Sequence, residues 1–315
     1  MCEGSPDDSA LPATKRRRFG GRSSSSQSAA PQAFWFWDGD IVLEVEHHKF
    51  KVHGTRLQCS EIFLDMLAMP QPQDADVVDG CPLVQLADSA QDWQVALRWI
   101  YDTGSFAVMH HPVPFPLLPS ALRIGTKYEI AALREWAVNH LCARWPSDLE
   151  RMDTASLPCA AEAIALAREC DVPEILPAAF YALSLQRFGY NADGGRSHVV
   201  LSQADLRRLI IGRERLSDLA MQLLLDPLSA APGMPPFESC DQCREPLQRY
   251  WRGKVASDPQ SPFEPWLLRE LYLMFTAPDV LFESVLCEGC LVWHKDAAWT
   301  RFDSLRTSML RLFCL

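Results

Sequence analysis

Apolar and polar positions alternate where the folded part of the chain begins, and then the period changes. Ile41, Leu43 and Val45 share one face of a strand, Val42 lies on the other with Glu44 and Glu46, and Phe50 and Val52 resume the alternation after the polar turn Glu46-His47-His48-Lys49. An antiparallel hairpin is predicted. From His53 the spacing is helical: Phe63, Met66 and Leu67 recur at three and four residues, and the Ser60 hydroxyl is placed to cap that turn. Pro70 to Pro82 reads as a loop, and Leu83, Val84 and Leu86 as a short strand. Trp93, Ala96, Leu97, Ile100 and Tyr101 then form one helical face, capped by Asp88 or Ser89. A Pro-rich connection reaches Pro119. Beyond it Ala121, Leu122, Ile124, Gly125 and Tyr128 make one helical face, and Ile130, Leu133, Trp136, Ala137, His140 and Leu141 the next. Four further faces follow, around Ala160 to Ala167, Ile175 to Leu183, Leu206 to Ile210 and Leu216 to Leu223, and they are expected to pair as antiparallel helices.

Three blocks within this pattern resemble the BTB/POZ domain. The first holds DGDIVLEV from Asp38, the F-x-V-H step of Phe50, Val52 and His53, and S-x-x-F-x-x-M-L from Ser60 to Leu67; the second is VQLADSAQDWQVALRWIYDTG; the third is LRIGTKYEIAALREWAVNHL. The resemblance covers residues 34–145 and implies an α+β fold, a small sheet packed with helical hairpins. It also implies that His53 packs at a helix start. Residues 146–235 hold the position of the helical extension called BACK, and residues 236–315 form a C-terminal, mostly helical domain. As a whole the architecture is similar to that of BTB proteins of mushroom-forming, basidiomycete fungi. By this resemblance the chain binds proteins: by forming a homodimer, by recruiting a cullin-type ubiquitin ligase as its substrate adaptor, or by acting as a nuclear transcription regulator. Many dimeric members carry an extra helix and strand ahead of the hairpin, where this chain has a polar tail and Phe34 to Trp37. Cullin-recruiting members often carry a hydrophobic-x-Glu motif where residues 105–119 contain no Glu.

Charge narrows the partners. The formal net charge of the 315-residue chain is −10, yet its first 33 residues carry five Lys or Arg against three acidic groups, so the remainder holds −12. An acidic body disfavours a nucleic-acid partner, which needs clustered positive charge. Residues 1–33, rich in Ser, Ala, Pro and Gly, are expected to be disordered. Within them Lys15, Arg16, Arg17 and Arg18 form a basic cluster of the kind read by nuclear import receptors, beside Ser23 to Ser26, where phosphorylation would oppose its charge. Cytoplasmic or nuclear residence is expected, because residues 1–30 contain no apolar core of a signal peptide. The longest run without Asp, Glu, Lys or Arg, Thr103 to Leu122, contains four prolines and cannot be a membrane helix. Phe34 to Trp37 reads as the start of the hairpin strand or as an exposed aromatic surface for a partner.

Eleven cysteines in a reducing compartment point to buried thiols or metal ligands rather than disulfides. Two C-x-x-C pairs, Cys240 with Cys243 and Cys287 with Cys290, are spaced so that a tight turn, eased by Gly289, aims two thiolates at one tetrahedral ion. Four soft sulfur ligands favour structural Zn2+ with no coordination position open for catalysis. The 43 residues between the pairs, which include a helix from about Pro265 to Thr276, exceed the spacer of a short finger, so the folded domain must bring them together. His294 is an alternative fourth ligand, and a redox dithiol or ordinary buried cysteines are the rival readings.

Catalytic motifs are missing. There is no G-x-S-x-G, H-E-x-x-H, P-loop or G-x-G-x-x-G, and the eight histidines are scattered rather than paired with nucleophiles. A non-enzymatic protein is expected. Arg207, Arg208, Arg213 and Arg215 interleave with Asp205, Glu214 and Asp218, the pattern of a solvated helix face rather than a phosphate-binding stripe.

Overall fold

The computed structural model describes residues 34–69, 76–109, 112–187, 201–231, 233, 234, 237 and 240–315. The N-terminal tail with its basic cluster Lys15 to Arg18 lies outside them. The fold is mixed α/β, with a four-stranded sheet and thirteen α-helices among the described residues.

β1 (Ile41–Val45) and β2 (His48–Val52) form the hairpin in the register Ile41↔Val52 to Val45↔His48. The turn is tighter than expected, only Glu46 and His47, because Glu46 takes a left-handed φ of 55°. After α1 (Gly54–Leu57) comes α2 (Glu61–Ala68), whose first turn is capped as the sequence predicts: Ser60 Oγ accepts from the Phe63 N–H at 3.1 Å. Residues 76–82, read as loop, instead contain β3 (Val77–Val78) and the start of β4 (Cys81–Leu86). Asp79 (φ 53°) and Gly80 (φ 75°) both adopt positive φ between them, the requirement of a tight hairpin turn. β4 also pairs in parallel with β1, giving the sheet order β2-β1-β4-β3. β1 is therefore central, and Val42, placed by alternation on the polar side, is as buried as Leu43.

Phe34 to Trp37 does not extend β1. Trp35 makes a parallel bridge to Lys51 on the outer side of β2, and Phe36 stacks on Tyr101 with ring centroids 4.5 Å apart. Only Trp37 of the four stands in solvent, at 89% exposure.

α3 (Ala90–Tyr101) buries the face expected of it, and Ser89 caps it by accepting from the Asp92 N–H. Asp88 is not the cap and bonds across the domain instead. Its carboxylate accepts from Trp93 Nε1 (3.1 Å), Lys127 Nζ (2.5 Å) and Tyr128 OH (2.5 Å). A short helix, α4 (Thr103–Ala107), interrupts the connection read as irregular, and Asp102 caps it. α5 (Leu117–Lys127) and α6 (Ala131–Arg144) then form a helical hairpin. Gly125 is needed there, since a Cβ would lie 2.8 Å from the Arg134 backbone nitrogen.

The remaining helices are α7 (Ala160–Glu169), α8 (Leu176–Ser184), α9 (Gln203–Leu225), α10 (Asp241–Val255), α11 (Leu267–Thr276), α12 (Val280–Glu283) and α13 (Glu288–Leu312). The faces around Leu209 and Leu219 belong to one continuous helix, α9, rather than to a pair. Within it, Gly212 accommodates the ring of buried Phe313, which a Cβ at that position would overlap. Of the α9 arginines, Arg207 and Arg215 are exposed as expected of a solvated face, while Arg208 and Arg213 are partly covered, and three of the four reach backbone carbonyls. Arg213 donates to Gln186 O (3.0 Å), Arg208 to Cys314 O (3.2 Å) and Arg215 to Leu312 O (2.9 Å), so they tie α9 to the ends of α8 and α13. α9 also packs on α10, and buried residues from Ile41 to Phe313 form one connected core.

Candidate metal centre

Both C-x-x-C pairs occupy the same place on their helices. Cys240 is the N-cap of α10 and Cys287 the N-cap of α13, so Cys243 and Cys290 fall one turn in, on the third helical residue. No knuckle turn is involved. Gly289 has nothing within 4 Å of a Cβ position and no positive φ, so it does not ease a strained backbone as the sequence suggested. What the spacing supplies is one helical turn, which points both sulfurs of each pair along the same edge of the helix start.

Helix packing brings the two pairs together. α11 lies against α13 and α10, and the two N-termini meet. The four Sγ atoms lie within 4.8 Å of one another, with Cys240···Cys287 at 3.8 Å and Cys240···Cys290 at 3.9 Å. A tetrahedron built on metal–sulfur bonds of about 2.3 Å has edges of about 3.8 Å, so the observed spacing accepts one tetrahedral ion. The ten described cysteines form no disulfide.

The surroundings favour negative sulfur. The unpaired N–H groups and positive dipole ends of two helices converge on the cluster. The Cys287 N–H donates to Cys243 Sγ at 3.3 Å. The Cys290 N–H, followed by the neighbouring thiols, brings Cys287 down to about 7, whereas burial pushes Cys290 up to about 12. A bound divalent cation would deprotonate all four. Cys243 (2% exposed) and Cys290 (4%) are the inner pair, Cys240 is half-buried and Cys287 faces solvent.

His294 is not a member of the set. It is 1% exposed beneath the site, where its Nδ1 accepts from Trp251 Nε1 at 3.1 Å and its ring meets Tyr250 and Phe282 edge-on. Burial lowers its pKa to about 4, so it is neutral at pH 7. Arg301 lies over Trp251 at 4.6 Å and donates to Pro227 O (2.9 Å) and Ser229 O (2.5 Å), which fastens the segment after α9 to α13. The sequence carried no signal for this aromatic floor, because its members come from three helices.

His53 has the packed role expected of it. Its Nδ1 lies 2.8 Å from Tyr101 OH, its backbone N–H donates to the same oxygen at 2.9 Å, and its Nε2 approaches Asp38 at 3.3 Å.

No protein-family model matches the chain, and no curated protein matches it. Among the described residues no helix is long and apolar enough to cross a membrane.

Proposed function

We propose that this chain is a non-enzymatic protein-interaction protein, with a BTB/POZ domain at residues 34–145, a BACK-like extension at 146–235 and a C-terminal segment stapled by structural zinc. The observation that carries the reading is that His53, Ser60, Asp88, Tyr101 and Tyr128, polar residues of the three resembling blocks, bond to one another. His53 meets Tyr101, Ser60 Oγ donates to Tyr128 O at 2.5 Å, and Asp88 gathers Trp93, Lys127 and Tyr128. Side chains committed to packing leave function to the surface.

α2 offers such a surface. Ile62 and Leu64 are exposed on the two flanks of buried Phe63, Met69 is exposed at the helix end, and Met66 and Leu67 are only half-covered, apolar surface of the kind a second copy or a protein partner buries. Light scattering of the full chain between about 1 and 100 μM, spanning the usual range of non-obligate affinities, is the test. A dimer, or a stable co-purifying partner, that is lost on combining Ile62→Asp with Leu64→Asp supports the reading; a strict monomer that captures no partner removes it.

The tetrathiolate leaves no coordination position for substrate, which makes the ion a structural one. Metal analysis of unchelated protein should return one zinc per chain, and a Cys243→Ser variant that retains the same zinc content would remove the ligand assignment.

A further inference from the structure

We infer that the Cys287 sulfur is a covalent modification site, the point at which a peroxide-class oxidant enters the metal centre, with Cys240 as the thiolate that resolves the product into a Cys240–Cys287 disulfide. The inference rests on the zinc reading above. Its basis is the unequal cover of the four sulfurs: the two on the third helical residues are buried, whereas the two on the N-caps form the outer edge and lie 3.8 Å apart. Within each pair the partner of an outer sulfur is an inner one that solvent does not reach. An oxidant therefore meets Cys287 first, and the outer sulfur beside it is that of Cys240 on the other helix.

The chemistry balances without further reagents. A metal-held thiolate is deprotonated and nucleophilic. Cys287 Sγ attacks one oxygen of hydrogen peroxide, the O–O bond breaks, and hydroxide leaves and takes a proton to become water. The sulfenic acid is then attacked by Cys240 Sγ; the S–S bond forms, the S–O bond breaks, and the departing hydroxide becomes a second water. Two thiolates lose two electrons, one peroxide gains them with two protons, and zinc keeps its oxidation state. Left with two thiolates, the ion leaves to a chelator. The new bond joins the same two helix starts that the metal joined, so α10 and α13 stay fastened after the ion has gone.

The experiment uses full-length, zinc-loaded protein. Zinc is measured first; its absence there overturns the metal reading, and this inference with it, before any oxidant is added. Hydrogen peroxide is then supplied at one to about ten equivalents while a chromogenic chelator follows release, and the product is mapped by non-reducing peptide mass spectrometry. One zinc per chain should be released together with a Cys240–Cys287 peptide, and reduction with added zinc should restore the starting state. Cys287→His substitutes a nitrogen ligand and removes the entry sulfur, and the zinc that it holds should be released at least about tenfold more slowly. Cys240→His serves as the second variant if the first fails to fold, and should leave a sulfenic acid at Cys287 that a dimedone probe captures. Zinc retained at ten equivalents, a disulfide confined to Cys240–Cys243 or Cys287–Cys290, or release from Cys287→His at the wild-type rate would overturn the inference.

Discussion

Replacing Asp88 with Ala tests whether one carboxylate holds β4, α3 and the α5–α6 hairpin in register. Burial pulls its carboxyl upward, but donation from Lys127, Tyr128 and Trp93 outweighs this and holds Asp88 below the usual carboxylate range. Tyr128, raised by burial and by the adjacent carboxylate, keeps its proton and remains a donor. Without Asp88, the buried indole N–H of Trp93 and hydroxyl of Tyr128 lose their acceptor. Each buried unsatisfied donor costs about 1–3 kcal/mol. Lys127, half-exposed, contributes at most about 1 kcal/mol through its ion pair. The expected loss is about 2–7 kcal/mol, which at an m-value of about 3 kcal/mol/M lowers the urea midpoint by about 1–2 M. Urea unfolding followed by circular dichroism measures it, with Lys127→Met as the control that removes only the exposed pair and costs about 0–1 kcal/mol. If Asp88→Ala shifts the midpoint no further than Lys127→Met does, the carboxylate is not the joint described here.

Gly212→Ala pushes a methyl into the Phe313 ring and should cost about 1–3 kcal/mol by overpacking, whereas Gly253→Ala in α10, with open space around it, should stabilise by about 0.5–1 kcal/mol; thermal melts of the pair give opposite signs or the packing account fails. For His294 the folded pKa of about 4 lies below the ordinary 6.5, so its contribution to stability is complete above pH 6.5 and is lost as pH falls through 4, a difference of about 3 kcal/mol. Chemical unfolding of wild type and His294→Gln at saturating zinc between pH 7 and 4 should show this slope only in wild type, since thiolate protonation is common to both; equal slopes would contradict it. Chelation should lower the melting temperature of the full chain and Zn2+ should restore it, while a melt indifferent to chelator would show that helix packing alone closes the C-terminal part.

Elements that bury one face were legible because burial imposes a period. The hairpin, α2 with its Ser60 cap, α3, the α5–α6 pair, α7, α8 and α11 all follow from alternation or three-four spacing. Other elements were missed because they are short or are set by distant contacts, and α10 and α13, 15 and 25 residues long, were anticipated only as part of a mostly helical segment. β3 spans two residues, too few to show a period, although Asp79-Gly80 was a usable turn signal. The contact between Gly212 and Phe313, about a hundred residues apart, leaves no local pattern. The bonds of Arg208, Arg213 and Arg215 could not be read because their acceptors are backbone carbonyls, which carry no mark in a sequence. At the cysteine cluster the spacing picked out the four sulfurs that lie together, but it could not place them on helix starts or exclude His294, since both depend on how α10, α11 and α13 pack.

The pairing of two helix starts also bears on the order of folding. Each C-x-x-C lies within a single turn, so either one can take a metal ion as a two-sulfur ligand as soon as that turn forms, while the other pair is still 43 residues away along the chain. Bringing the second pair to the ion requires closing that long loop, an entropic cost met only when α11 settles between α10 and α13. Were the cluster to take an ion, tetrathiolate formation would be a late step, and its spectroscopic signature with a coloured metal such as cobalt would time the docking of the C-terminal helices.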